Sequence, residues 1–154
     1  MIILGIDPAL TKTGYGVIDT SNSSINYIAS GTILTQSTDN LETRLGFLAS
    51  EIERIIRTYN PNIVAMEEVF ININAKSSIK LCHARGAIMS AIGQSGLVLK
   101  EFSPTKIKKT ISGAGKADKS QIIYMVRMIM PKADIKSEDE ADALAAAYAC
   151  HAYM

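Results

Sequence analysis

The sequence is poor in cysteine. Cys82 and Cys150 lie far apart and neither belongs to a CxxC pair, which excludes a scaffold built on disulfides. Each is followed by histidine (Cys82-His83, Cys150-His151), but adjacent residues rarely share one tetrahedral centre, and the usual zinc spacings are missing. Two ordinary helix-borne pairs are the expectation. No apolar run approaches the roughly 20 residues that cross a bilayer. No basic region precedes the short apolar stretch at the N-terminus, so neither a cleaved signal nor a membrane partner is expected, and the expected compartment is the cytoplasm. Internal repeats, linkers and low-complexity tracts are also missing, and residues 1–154 read as one domain.

What is present is the composition of a globular protein, 47% hydrophobic and 20% charged, long enough to bury a real core. The net charge of +1 hides an uneven distribution. Between Lys100 and Lys119 there are six lysines (Lys100, Lys106, Lys108, Lys109, Lys116, Lys119) against Glu101 and Asp118. That segment could meet a polyanion, or form a solvated basic face.

Along the chain, Ile2 to Ile6 reads as a buried strand, Thr11-Lys12-Thr13-Gly14 as a turn, and Tyr15 to Asp19 as a second strand. Ile25 to Thr35 reads as a third. The period then changes: Leu41, Leu45, Leu48, Ile52 and Ile55 repeat at helical spacing, with Asp39 or Asn40 as N-cap and Asn60-Pro61 as the stop. Asn62 to Phe70 is a buried strand, Asn74 to Gly93 a helix of small and apolar residues, and Leu97 to Phe102 a further strand. Ser103-Pro104 opens a short helix, and Lys119 to Met130 forms another, ended by Pro131. The last helix runs from Ser137 to about Tyr153, with Ser137 and Glu140 spaced as a capping box and many alanines that allow close packing on a sheet. Early strands followed by alternating helix and strand predict an α/β sandwich around a mixed sheet.

Acidic residues interrupt this apolar pattern in three places. Asp7 ends the first strand, Glu67 and Glu68 break the run NIVAM-EE-VF, and Asp139 and Asp142 lie near the start of the last helix. Spacing i,i+3 puts Asp139 and Asp142 on one face, roughly 60° apart. Acids in a first helical turn are favoured by the macrodipole, and Glu138 and Glu140 need no other reason. Asp142 lies beyond that turn, among alanines on a face that ought to be packed. Glu67 and Glu68 point to opposite faces of their strand, and pattern alone does not choose between them. Asp7, followed by Pro8, could be a simple loop cap. Taken together, acids brought into one place repel one another until a proton or a cation relieves them. Oxygen ligands without a cysteine or histidine pattern suit Mg²⁺ or Mn²⁺. Two such ions, about 3.5–4 Å apart, can stabilise the attacking and leaving oxygens of an in-line phosphoryl displacement.

Four blocks, in order, carry a family resemblance: "ILGIDP" with "TGYGVI"; "MEEVF" followed by "NAKSSIKLCHARG"; "SPTKIKKTISGAGKADKSQI"; and "DEADALAAAYACH". Over nearly its whole length the chain resembles the RuvC family of bacterial Holliday junction resolvases. The resemblance implies an RNase H-like α/β fold, a mixed five-stranded sheet with helices on both faces. It implies a homodimeric, Mg²⁺-dependent endonuclease, with two ions per site and Mn²⁺ able to substitute, that cuts four-way DNA junctions to leave 5′-phosphates. It carries the catalytic, metal-binding carboxylates onto Asp7, Glu67 (not Glu68), Asp139 and Asp142, and DNA-binding roles onto Phe70, Lys108 and Lys119. A branch-migration complex of RuvA and RuvB is implied as partner. One departure stands out: the family has glycine after "DP" and this chain has Ala9. If that turn needed positive φ, alanine there would cost on the order of 1 kcal/mol.

Two other readings compete. The segment "GIDPALTKTGYGVI" also resembles the phosphate loop of actin-like kinases and ATPases, a class that needs two such domains around a nucleotide cleft. The other is a non-catalytic junction-binding protein whose acids are structural.

Overall fold

The computed structural model describes residues 1–21, 24–69 and 75–154, the first two positions of the last segment by backbone alone. The elements are β1 (Ile2–Asp7), β2 (Lys12–Asp19), β3 (Asn26–Leu34), α1 (Leu41–Tyr59), β4 (Ile63–Glu67), α2 (Ala75–Gln94), β5 (Leu99–Phe102), α3 (Pro104–Ser112), α4 (Lys119–Ile129) and α5 (Glu138–Ala152). The five strands form one sheet in the order β3-β2-β1-β4-β5. β1, β2 and β3 are an antiparallel meander, whereas β4 and β5 run parallel to β1. This is the expected mixed sheet. Among the described residues no helix is long and apolar enough to cross a membrane.

Strand alternation sorts the core into two layers. Ile3, Ile18, Ile63 and Ala65 face α3, α4 and α5, while Leu4, Ile6, Val17, Val64 and Met66 face α1 and α2. On the second face α1 presents Leu48, Ile52 and Ile55, and α2 presents Ala84, Ile88 and Ala91, all buried. On the first, α5 lies almost directly on the sheet because both surfaces are stripped of bulk. Alanines line the helix, and Gly5, Gly14 and Gly16 lie beneath it. A Cβ on Gly5 would fall onto the carbonyl oxygen of Ala143, and one on Gly14 onto the backbone of Asp139.

Several boundaries differ from those read in the sequence. The turn after β1 closes earlier than Thr11–Gly14, and Lys12, Thr13 and Gly14 already belong to β2. The Thr13 hydroxyl donates to the Ala9 carbonyl at 2.5 Å and accepts from the Ala9 N–H at 3.2 Å, which closes the turn over residues 8–11. Buried Arg44 of α1 braces the same turn by donating to Thr35 at 2.9 Å and Thr11 at 3.1 Å. Among the described residues Asn60, the αL cap of α1, is the sole non-glycine at positive φ. Ala9 therefore carries no such strain, and the departure from glycine costs the turn nothing on that account. β4 stops at Glu67, short of the expected Phe70, which lies outside the described residues. At α5 only half of the expected capping box forms. Ser137 Oγ accepts from the Glu140 N–H at 3.3 Å, but the Glu140 carboxylate accepts from the hydroxyls of Ser30 at 2.7 Å and Ser137 at 3.3 Å, with no bond to the Ser137 N–H. Glu140 is 4% exposed, so the macrodipole alone does not account for it.

The close approach of α5 generates a paired expectation. Gly5→Ala should destabilise the fold by ~1–3 kcal/mol, because α5 must lift from β1. Gly46→Ala, on an exposed position of α1 with nothing near its would-be Cβ, should stabilise by ~0.5–1 kcal/mol. Urea denaturation of the two variants measures both.

Candidate active site

Asp7 belongs to the α5-facing row of β1 with Ile3 and Gly5. β4 pairs with β1 in parallel, Ile6 opposite Met66, so the next step in register sets Asp7 beside Glu67. Glu67 shares the parity of Ile63 and Ala65 and faces α5; Glu68, outside the strand, is exposed. Strand alternation thus selects between the two glutamates. On the other side Asp7 pairs with Gly14, whose missing side chain admits Asp139 at the start of α5. Asp142 follows one turn later, partly buried.

The four carboxylates act on one another. Burial, then Asp142, Glu67 and Asp139 in that order, push the Asp7 carboxyl up to about 8, and Lys119 opposes them. Glu67 is raised by burial and by Asp142, against the pull of Lys108 and Arg85. Asp142 is raised mainly by burial; Lys119 and Lys108 pull it down while Asp139 and Glu138 push it up. Lys108 of α3 and Lys119 at the start of α4 therefore both reach the site electrostatically. Lys119 also bonds the Glu138 carboxylate at 2.7 Å. A recess of 330 Å³ opens beside Asp7 and Glu67, walled by Pro8, Leu81 and Pro104.

Three residues of this neighbourhood escaped the sequence reading. Buried Arg85 of α2 donates to the Glu67 carbonyl at 2.5 Å and pairs with Glu101, so it fixes the end of β4. Its signal was a cation on the inward face of an otherwise apolar helix. Lys12, read as part of a turn, contacts Asp139 Oδ2 at 2.6 Å. Glu140 ties α5 to β3 through Ser30. Cys82 is exposed and Cys150 buried, both free, and neither joins the acidic site.

Among the described residues, no three His, Cys, Asp or Glu side chains stand close enough to close on a metal ion as they are. The donor set nevertheless suits a hard divalent cation: four carboxylates, oxygen only and half-buried.

Comparison with known proteins identifies the family and the fold. The family described as crossover junction endodeoxyribonuclease RuvC matches residues 3–151. The protein of that name from Orientia tsutsugamushi (strain Boryong) is 55% identical over 148 residues, covering 96% of this chain and 93% of its own. That of Rickettsia felis is 47% identical over 152 residues, covering 98% and 97%. The structure of Thermus thermophilus RuvC superposes with a TM-score of 0.90 at 27% identity, covering 99% of this chain and 95% of its own. The same protein in complex with a Holliday junction substrate superposes at 0.92, covering 99% and 94%. The fold is RNase H-like, and the molecule is a nuclease. More narrowly, the chain belongs to the crossover junction endodeoxyribonuclease RuvC family. Membership sets aside both the actin-like and the non-catalytic readings, and it brings dependence on a divalent cation.

The raised carboxyl of Asp7 makes stability depend on pH. Its ordinary value is 3.8 and its value in the fold about 8, so between these the folded chain holds a proton that the unfolded chain has released. The stabilisation is complete below about pH 4 and is lost as pH rises through about 8. Glu67 and Asp142 shift in the same direction. In chelator, the melting temperature should fall as pH is raised across this window, and Asp7→Asn should remove most of the fall.

Proposed function

We propose that this chain works as a homodimer that cuts a four-way DNA junction at two symmetric positions, with Asp7, Glu67, Asp139 and Asp142 holding Mg²⁺, two ions per site. The observation that carries this reading is Asp7 itself: a half-buried carboxyl pressed by three others at the end of the central strand, pushed up to about 8. Such a group is costly unless a cation is its partner. When bound, the ions supply an activated water and a stabilised leaving 3′-oxygen, with 5′-phosphate products; Mn²⁺ would substitute. The chain's own residues do the rest. β1 and β4 present Asp7 and Glu67 from a rigid sheet, and α5 brings Asp139 and Asp142 over them. Arg85 keeps the end of β4 from moving. Lys108 and Lys119 meet backbone phosphate on the rim, and Phe70 contacts bases near the branch point, as the family resemblance implies.

Symmetric cutting calls for two matched sites related by a two-fold axis. α2 offers a face for that contact, with Ile79 56% exposed and Met89 41% exposed beside the exposed Gly86 and Gly93. Small residues there allow two helices to approach closely. RuvA and RuvB as the coupled branch-migration complex, and the cytoplasm as the compartment, complete the proposal.

The deciding experiment is cleavage of a synthetic four-way junction with and without Mg²⁺. Asp7→Asn should lose cutting while still binding the junction; an active variant would defeat the ligand assignment. Lys108→Ala and Lys119→Ala should each weaken junction binding. Each should also lower the slope of log affinity against log salt by about 1, read from binding titrations at several salt concentrations.

A further inference from the structure

Lys12 is the first residue of β2 and shares the α5-facing row with Gly14 and Gly16. Its Nζ lies 2.6 Å from Asp139 Oδ2. Among the described residues, Asp139 alone of the four acids has an ion-pair partner; Lys119, which also acts on the cluster, is bonded to Glu138 instead. Both members of the Lys12–Asp139 pair are partly open to water, at 42% and 29%, so the contact is easily exchanged. Beside it lies a polar cavity of 560 Å³ whose wall carries Lys12, Lys136 with its ion-pair partner Asp134 at 3.3 Å, and the hydroxyl-bearing residues Tyr27, Ser30, Thr32 and Ser137. Its floor is fixed by buried Glu140, which accepts from Ser30 at 2.7 Å and from Ser137 at 3.3 Å. An exchange of partners at Asp139 would thus involve side chains, not the helix that carries them.

We propose that Lys12 is an internal counter-ion of Asp139 that holds this carboxylate away from divalent cations until a DNA phosphate takes the ammonium over. The idea rests on the four-carboxylate reading above. An ammonium ion on Asp139 Oδ2 occupies the lone pairs that a cation needs and adds a positive charge within a few ångströms of it. Lys12 therefore weakens cation binding to the DNA-free protein. A phosphate set in the neighbouring cavity offers Lys12 a second anion and releases Asp139. Metal and DNA each then favour the other, because a coupling of this kind is reciprocal. The substrate would complete the site that cuts it.

The test is calorimetric titration of the full chain, free of DNA, with Mn²⁺. Lys12→Met should bind Mn²⁺ on the order of tenfold more tightly than the unaltered protein. Lys12→Arg should match the unaltered protein, and so should Lys132→Met, which removes an exposed lysine elsewhere. Lys12→Gln repeats the measurement should the methionine variant melt early. In a second arm, junction affinity is compared in Ca²⁺ and in chelator, on samples that a denaturing gel shows to be uncut. The gain from Ca²⁺ should be several-fold smaller in Lys12→Met. Equal or weaker Mn²⁺ binding in Lys12→Met, or an unchanged gain from Ca²⁺, overturns the proposal. Mn²⁺ binding that survives Asp7→Asn would instead overturn the site reading beneath it, so the two failures are distinct.

Discussion

Repulsion between carboxylates is the constraint on which this molecule is arranged. Nothing in hydrophobic packing favours Asp7 beside Glu67 with Asp139 and Asp142 over them, and burial together with the three neighbouring acids pushes the Asp7 carboxyl up. The fold imposes the gathering through features that are stable in themselves. Parallel pairing of β1 with β4 fixes one side of the cluster, and a row of glycines under an alanine helix fixes the other. Cations from four elements surround the cluster: Lys12 from β2, which pairs with Asp139, Arg85 from α2, Lys108 from α3 and Lys119 from α4. They moderate the field at its rim.

The two faces of the sheet divide the labour. α1 and α2 form a conventional apolar layer whose polar members serve as braces: Arg44 on the turn after β1, Arg85 on the end of β4. α5, with α3 and α4 beside it, forms the layer that carries chemistry at its edge. The stability of α5 on the sheet comes from small residues, where a single methyl group is felt. Precision at Asp139 and Asp142 is thereby purchased with tolerance to substitution under the helix.

Much of this was legible in the sequence. The short unbroken apolar runs IILGID and IVAME, taken with helical periods elsewhere, point to buried strands and hence to the mixed sheet. The choice of Glu67 over Glu68 was open to pattern alone, yet it follows once Ile63 and Ala65 are known to face α5. The cap of α3 by Ser103 also read correctly. What did not read were contacts between residues far apart. Lys12 looks like any turn lysine until α5 is placed above it. Glu140 looks like any first-turn acid until Ser30, on β3, supplies a partner 110 positions away. The question over Ala9 likewise needed backbone angles, since only φ decides whether glycine was required.

One consequence of the topology concerns the order in which the molecule is made. Strands β1 and β4 emerge from the ribosome well before α5, and the interval from Asp7 to Asp142 spans most of the chain. A nascent polypeptide can build the meander and the apolar layer of α1 and α2 while its acidic cluster is still half assembled. On the proposed four-carboxylate site, cutting competence would arrive late in translation, after the scaffold is laid down. A truncated product ending before α5 would lack both Asp139 and Asp142, and with them half of that proposed site.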